Sequence, residues 1–245
     1  YEIVTKAIGG IGVKAKPQEN FGHNLDEFLK LISEKTKLIF IANPNNPTGS
    51  LIEKSKISAF LSKVPKHILI VLDEAYDEYL RDEHKSIAFN WLAEYKNLLI
   101  SRSFSKAHGL AGLRIGYGVG SKKVINLMNR VRQPFNVNSV AQAAAIASLE
   151  DDEFIKRSRL INNQGRLQLE EVFNELRIEY IPSYGNFISF NLEDETKAMM
   201  YYQHLLKNGV IVRPIQNYEM PSWLRVSIGL KDENNTFIKY LKSFT

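Results

Sequence analysis

Three segments in the first half of the chain share one pattern, in which a short unbroken apolar run is followed by polar and turn-forming residues. They are KLIFIANPNNPTG at 37–49, ILIVLDEAYDEY at 68–79 and NLLISRSFSKAHG at 97–109. Apolar runs without alternation are typical of strands buried on both faces of a parallel sheet. Helical patterns occupy 52–64 and 86–95 between them. The pattern predicts an α/β fold, a mostly parallel sheet with helices on both faces.

The second half has a different texture. The polar stretch around Pro134 predicts a linker, and it is followed by two helical patterns, the second amphipathic over about 153–177. Strand-like pieces then alternate with helices near 194–208 and 231–243; they are RIEYIPS, NFISFNLE, GVIVRPI and WLRVSIG. We therefore expect a cofactor-binding large domain over 1–138, and linking helices with a smaller α+β domain over 139–245. The opening YEIV also has the composition of a strand.

The composition of the chain excludes several classes of function. The 245 residues are 44% hydrophobic, contain no cysteine and carry a net charge of +5. Without cysteine there is no disulfide, thiolate nucleophile or cysteine metal site. The basic residues are interspersed with acids, which favours anionic small molecules over nucleic acid as partners. The apolar runs are far shorter than the roughly 20 residues of a membrane span, and no secretory signal opens the sequence, so we expect no membrane partner.

Polar residues follow each predicted strand. Asn46, Asp73 and Lys106 lie just past the ends of the three apolar runs. Because the carboxyl ends of parallel strands share one edge of a sheet, we expect these side chains to converge there. Burial would lower the pKa of Lys106 and free its amine for carbonyl chemistry. Nearby, Ser103, Ser105 and Arg114, with a helix expected to begin after the lysine, form a candidate phosphate site.

Each of these residues also has a simpler interpretation. In this interpretation, Lys106 is a solvated surface charge. Asp73 would form a buried ion pair with a core arginine, whereas in the functional interpretation it faces a protonated cofactor ring. Tyr76 is a packing residue unless the chain turns helically after Asp73. NPNNPTG is a tight loop, with a cis peptide expected at one of its two Asn-Pro bonds. The histidines have no metal-ligand spacing and are interpreted as structural or surface residues, with no metal expected; they are His23, His67, His84, His108 and His204.

The motifs NPNNPTG, DEAYDEY, SFSKAHGLAGLRIGY and WLRVSIG, in this order, resemble the pyridoxal-phosphate aminotransferases of fold type I, classes I and II. The likeness spans essentially the whole chain, and VIVRPIQNYEMPSWLRVSIG is most similar to the histidinol-phosphate aminotransferases. It implies pyridoxal 5'-phosphate as cofactor, held covalently by Lys106. The other implied contacts are Asp73 to the pyridine nitrogen, Asn46 and Tyr76 to the phenolic oxygen, Ser103, Ser105 and Arg114 to the phosphate, and Arg225 and Arg213 to the acidic groups of the substrate.

The resemblance also implies an activity and partners. The reaction would be transamination between histidinol phosphate or imidazole acetol phosphate and glutamate or 2-oxoglutarate, in histidine biosynthesis in the cytoplasm. The partners would be a small-molecule amino donor, a 2-oxo acid acceptor and a second copy in a homodimer. An aromatic aminotransferase, a threonine-phosphate decarboxylase and a non-catalytic sensor domain of a regulator stay open. Family members have an N-terminal segment before the position of Tyr1, so we expect the large domain to be incomplete here.

Overall fold

The computed structural model describes residues 1–244, which form two β-sheets with helices packed against them. The helices are α1 (Glu2–Ala7), α2 (Leu25–Lys30), α3 (Lys54–Lys63), α4 (Ala88–Glu94), α5 (Lys122–Val131), α6 (Ser139–Leu149), α7 (Asp152–Glu175), α8 (Glu195–Lys207) and α9 (Lys231–Lys242). The strands are β1 (Leu38–Ala42), β2 (Leu69–Asp73), β3 (Leu98–Ser103), β4 (Gly116–Gly120), β5 (Tyr180–Ile181), β6 (Phe187–Asn191), β7 (Arg213–Pro214) and β8 (Trp223–Ser227).

The first sheet has the strand order β1-β2-β3-β4. The first three strands are parallel, with Ala42 beside Asp73 and Asp73 beside Ser101, whereas β4 runs antiparallel to β3. The three apolar runs therefore form neighbouring parallel strands, as predicted. Strand β4 was not predicted, because its glycine-rich sequence GYGVG lacks the apolar content of a typical strand.

Helices lie on both faces of this sheet, but the faces are covered unequally. Helices α2, α3 and α4 pack on one face around a core that includes Ile41, Leu72 and Ile100. Helix α5 lies on the other face, where Met128 and Leu99 both approach Gly118. The first three residues of β3 are buried on both faces. In β1 and β2, by contrast, buried side chains alternate with half-buried ones, and Leu38 at the start of β1 is exposed. The prediction that all three strands are buried on both faces was therefore wrong for β1 and β2, whose second face is only partly covered.

The strand expected at YEIV is the short helix α1. Its β-branched residues favour a strand, but no neighbouring strand pairs with this segment in the described part of the chain. Instead, Glu2 forms an ion pair one helical turn away with Lys6, at 2.7 Å between Oε1 and Nζ. Ile3 and Val4 remain exposed, so tertiary pairing rather than local propensity decided this element.

The second sheet is antiparallel in the order β5-β6-β8-β7. Helices α7, α8 and α9 cover one face, where alternate strand residues such as Ile188, Phe190 and Leu224 are fully buried. Helices α6, α7 and α8 begin at Asn or Asp side chains that accept a backbone N–H of the first turn. The predicted small α+β unit is thus present, while the domain boundary after residue 138 stays a prediction.

Across residues 1–244, every helix is too short or too polar to span a lipid bilayer.

Candidate functional site

Asp73 ends β2 on the half-covered face of the first sheet. Its Oδ1 accepts a hydrogen bond from the backbone N–H of Ala75 at 3.1 Å, and its Oδ2 accepts one from the hydroxyl of Tyr1 at 2.6 Å. The ring of Tyr1 stacks on Phe40, the neighbour of Val71 on this face. The core arginine considered as a partner for Asp73 is not there; Arg102 pairs instead with Glu74, one residue further along.

Lys106 lies in a compact turn immediately after β3. The backbone N–H of Gly109 donates to the carbonyl of Lys106 at 2.9 Å, and that of Leu110 donates to the carbonyl of Phe104 at 2.9 Å. Partial burial lowers the pKa of the Lys106 amine, and the positive charges of Arg225 and Arg114 lower it further, while Asp73 opposes the shift. The amine is therefore a better nucleophile near neutral pH than a solvated lysine.

The helix expected to begin after Lys106 is absent. Ala111–Leu113 is one 3₁₀ turn, and the chain then enters β4. Arg114 has a left-handed backbone with φ of 52°, which turns the chain back toward β3. No α-helix dipole from this segment can act on an anion here, so that part of the phosphate-site prediction was wrong.

The predicted phosphate ligands surround the same turn. Ser103 Oγ accepts the backbone N–H of Ser105 at 3.0 Å, which fixes the bend leading to Lys106. Arg114 is exposed, and its Nη1 donates to the carbonyl of Ala111 at 2.8 Å. The hydroxyl of Ser103 is therefore part of the turn, whereas the hydroxyl of Ser105 is available to bind an anion. The guanidinium of Arg114 also keeps further N–H donors for this purpose.

Tyr76 is buried between the two sheets. Its ring packs edge-to-face on Phe187 of β6, with 5.4 Å between centroids, and the Nζ of Lys106 lies 5.4 Å from the ring centroid. Burial raises the pKa of Tyr76 to about 12; the charge of Arg225 acts against this rise and that of Asp73 adds to it. The hydroxyl therefore stays protonated and can donate a hydrogen bond.

Asn46 and Arg225 join the two sheets across the site. Arg225 of β8 donates a hydrogen bond from Nη1 to Oδ1 of Asn46, and its guanidinium carbon lies 4.9 Å from the ring centroid of Phe187. Both Asn-Pro bonds of the loop are cis, where one had been expected. Buried Asn43 holds the loop by accepting the backbone N–H of Ile52 at 2.7 Å.

Two backbone carbonyls of the loop also accept hydrogen bonds from β6 and from the turn that precedes it. Buried Ser189 of β6 donates its hydroxyl to the carbonyl of Pro47 at 2.6 Å, and Tyr184 N–H donates to the carbonyl of Gly49 at 2.8 Å. A Cβ on Gly49 would lie 2.1 Å from Ser183 Oγ, and φ there is +76°. Only glycine therefore permits this approach.

Arg213 lies beside Arg225. The two are direct partners in the antiparallel ladder of β7 and β8, so both side chains project from the face opposite the α7–α9 core. Arg213 is exposed and Arg225 is half-buried. The structure thus brings Asn46, Asp73 and Tyr76 together with Lys106 and Arg225, with Arg213 at the rim.

Two of the histidines have structural hydrogen-bond contacts. His23 lies 3.0 Å from the carbonyl of Ala42 through Nε2, and His108 lies 2.7 Å from Ser148 Oγ through Nδ1. Burial lowers the pKa of both rings. Within residues 1–244, no cluster of three His, Cys, Asp or Glu side chains is arranged to hold a metal ion.

The residues that sequence reasoning missed are Phe187, Ser189 and Arg102. Phe187 and Ser189 alternate with the core residues of β6, so their side of the strand was readable from the pattern NFISFN. Their contact with Tyr76 and Pro47 was not, because it joins segments more than 100 positions apart. Nothing in the sequence around Arg102 indicated its ion pairs.

The family that this fold and site define is that of the class I and II aminotransferases, whose sequence model matches residues 5–239. The chain belongs to this family.

Among its relatives, the histidinol-phosphate aminotransferase of Methylobacillus flagellatus is 60% identical over 99% of this chain, which covers 64% of that protein. Histidinol-phosphate aminotransferase 2 of Nitrosospira multiformis is 52% identical over 98% of this chain, which covers 61% of it. The chain therefore spans less than two thirds of the length of these relatives.

Solved structures agree in fold. The Sinorhizobium meliloti histidinol-phosphate aminotransferase in complex with pyridoxal-5'-phosphate has a TM-score of 0.92 at 26% identity, covering 100% of this chain and 68% of that one. The Clostridium acetobutylicum histidinol-phosphate aminotransferase has a TM-score of 0.91 at 29% identity, covering 100% of this chain and 74% of that one.

Proposed function

We propose that the complete protein containing this chain is a pyridoxal-phosphate-dependent histidinol-phosphate aminotransferase. The observation that carries the proposal is the convergence of an amine of lowered pKa, Lys106, with the carboxylate of Asp73 and the guanidinium of Arg225. These side chains fit the functional groups of pyridoxal phosphate. The amine suits its aldehyde, the carboxylate suits its protonated pyridine nitrogen, and the serine hydroxyls and the guanidinium suit its phosphate. The bound cofactor would supply an electron sink for the substrate carbon.

The chain's own groups then have definite tasks. Lys106 would hold the cofactor through its amine, and the same amine, when free, would be the base that moves a proton between the substrate carbon and the cofactor carbon on the other side of the nitrogen. Asp73 holds a proton on the ring nitrogen through a charged hydrogen bond. Tyr76 and Asn46 donate hydrogen bonds to the phenolic oxygen. Ser103, Ser105 and Arg114 bind the cofactor phosphate.

The substrate phosphate is assigned to Arg213 and Arg225. Two guanidinium groups directly opposite each other on a sheet repel, so an anion between them removes an unfavourable interaction. A phosphate with a charge near −2 meets both groups with bidentate geometry, and a substrate carboxylate meets Arg225 alone. The resulting reaction exchanges the amine of histidinol phosphate with the oxo group of 2-oxoglutarate, giving imidazole acetol phosphate and glutamate.

A homodimer is also part of the proposal. The α5–α6 region exposes apolar side chains, of which Phe135 is 99% and Val131 is 82% exposed. Exposed apolar surface of this kind marks an interaction site in a globular protein. We assign this surface to a second copy of the chain, and we assign the enzyme to the cytoplasm because its reaction belongs to amino-acid biosynthesis.

The test uses the complete protein loaded with pyridoxal phosphate. Histidinol phosphate, phenylalanine and threonine phosphate are added separately, and the visible absorbance of the bound cofactor is followed in single turnovers. Loss of absorbance with histidinol phosphate at far lower concentration than with phenylalanine, together with release of imidazole acetol phosphate, supports the proposal. Preference for phenylalanine would indicate an aromatic aminotransferase, and carbon dioxide release from threonine phosphate would indicate the decarboxylase. Binding without turnover would indicate a sensor.

A further inference from the structure

The segment after β2 has two faces with different surroundings. Strand alternation puts Asp73 with Ser101 on the site face of the sheet, and it puts Glu74 with Arg102 on the opposite face. Glu74 and Asp77 are 1% and 3% exposed, although both are acidic. Buried carboxylates require a partner. The backbone N–H of Ser86 donates to Asp77 Oδ1 at 3.1 Å, and one residue supplies the positive charge for both carboxylates.

That residue is Arg102 of β3. Its Nη2 lies 2.7 Å from Glu74 Oε2 and 2.9 Å from Asp77 Oδ2, its Nε donates to Glu74 Oε2 at 3.0 Å, and its Nη1 lies 3.4 Å from Glu78 Oε1. The guanidinium carbon also lies 4.9 Å from the ring centroid of Phe89. One side chain thus contacts three carboxylates of a single turn.

These contacts connect the two segments that carry the site. The three carboxylates belong to the stretch that holds Asp73 and Tyr76, whereas Arg102 immediately precedes Ser103 and the Lys106 turn. A planar guanidinium with several fixed donors holds such an arrangement in one orientation, which a lysine ammonium does not.

The charges of this cluster do not balance. Three carboxylates face one guanidinium, and Oε2 of Glu78 has no hydrogen-bond partner within residues 1–244. Burial raises the pKa of Glu74 to about 7, against the opposing effect of Arg102. Burial also raises the pKa of Glu78. Further titratable groups that act on the cluster are Tyr79, Lys85 and Tyr117.

We propose that Arg102 is a positioning residue for the candidate site, which it serves by fixing the turn 74–78 so that Asp73 and Tyr76 face the Lys106 turn. The proposal rests on the proposed function, since it gives these residues a cofactor to meet. Arg102 does not itself touch the cofactor position. Its effect is transmitted through the backbone of residues 73–78, where displacements on the order of 1 Å are enough to change catalysis and binding strongly.

The test compares the complete wild-type protein with Arg102→Lys, which keeps the positive charge and removes the planar set of N–H donors. Pyridoxal phosphate affinity should fall on the order of 10-fold. The midpoint of the pH titration of the bound cofactor's visible absorbance should rise by about one unit, because a weaker hydrogen bond from Tyr76 to the phenolic oxygen and a weaker one from the ring N–H to Asp73 would stabilise the deprotonated form less. In the cofactor-free protein, amide hydrogen exchange at residues 74–79 should become faster.

The matched control is Arg166→Lys, which alters another half-buried arginine–glutamate pair, to Glu170 at 2.6 Å, on α7. It should leave affinity and titration midpoint at the wild-type values. If Arg102→Lys does not fold, Asp77→Asn weakens the same contact and should move the midpoint in the same direction.

The outcomes separate the two proposals. If wild type binds no pyridoxal phosphate, the proposed function fails and this inference falls with it. If wild type binds the cofactor but Arg102→Lys or Asp77→Asn keeps the wild-type affinity and midpoint, only the positioning role is overturned. A loss of stability with an unchanged midpoint likewise contradicts positioning, because it shows a purely structural contact.

Discussion

Arg213 lies directly opposite Arg225 in the ladder between β7 and β8. Two like charges facing each other weaken a sheet unless an anion lies between them. The pair is therefore a feature that folding alone does not favour, and it supports the proposed assignment of the substrate phosphate to these two arginines.

Arg213→Gln should raise the KM for histidinol phosphate about 10- to 100-fold, the value of one charged hydrogen bond to the phosphate. Its effect on glutamate, which carries no phosphate, should be much smaller. Steady-state kinetics with both donors measure the contrast, and Lys207→Gln on the exposed side of α8 is the control. The free energy of unfolding of Arg213→Gln should not fall. Equal losses for both donors would argue against a phosphate contact by Arg213.

Lys106→Ala should remove the covalent attachment of pyridoxal phosphate and lower turnover by at least about 10²- to 10⁴-fold, the usual contribution of a positioned general base. Borohydride reduction followed by peptide mass spectrometry measures the attachment. In wild type the label should appear on the peptide that contains Lys106, and the variant should carry none. A label that persists in the variant would place the reactive lysine elsewhere.

Glu74→Gln tests the buried acidic cluster through its pH dependence. Because the pKa of Glu74 is raised from 4.5 to about 7 in the fold, the folded state binds a proton between these values that the unfolded state has released. Glu74 therefore lowers the free energy of unfolding as pH rises through this window.

Relative to wild type, Glu74→Gln should gain up to about 3 kcal/mol of stability between pH 5 and pH 8. Urea denaturation at several pH values measures this difference. If the free energy of unfolding of the variant relative to wild type decreased as the pH rises, Arg102 would stabilise the charged form of Glu74 more than burial disfavours it.

Gly165→Ala should destabilise the fold although alanine favours a helix. A Cβ at this position of α7 would lie 2.6 Å from Ile228 Cγ2 and 2.7 Å from Asn234 Nδ2. Asn234 is buried and holds the loop after β8 by accepting the backbone N–H of Gly229 at 2.9 Å, so it cannot yield freely. We expect a loss of about 1–3 kcal/mol in urea denaturation. Gly12→Ala, whose Cβ would meet nothing within 4 Å, should change stability by less than about 0.5 kcal/mol.

The sequence by itself determined the elements whose signals are local. Unbroken apolar runs gave the parallel strands β1, β2 and β3, and Asn46, Asp73 and Lys106 followed from their ends. The strand-like piece WLRVSIG predicted β8 correctly. The motifs indicated the family correctly, while the individual roles of the site residues stay predictions.

Only the tertiary structure decided features that depend on distant partners. YEIV forms a helix, and within residues 1–244 no strand pairs with it. The arginine considered as the alternative partner of Asp73 pairs with Glu74, because strand alternation turns these neighbours to opposite faces. Arg225 reaches Asn46 across 179 positions of sequence. No local pattern encodes such a contact, because it exists only once the two sheets have packed against each other.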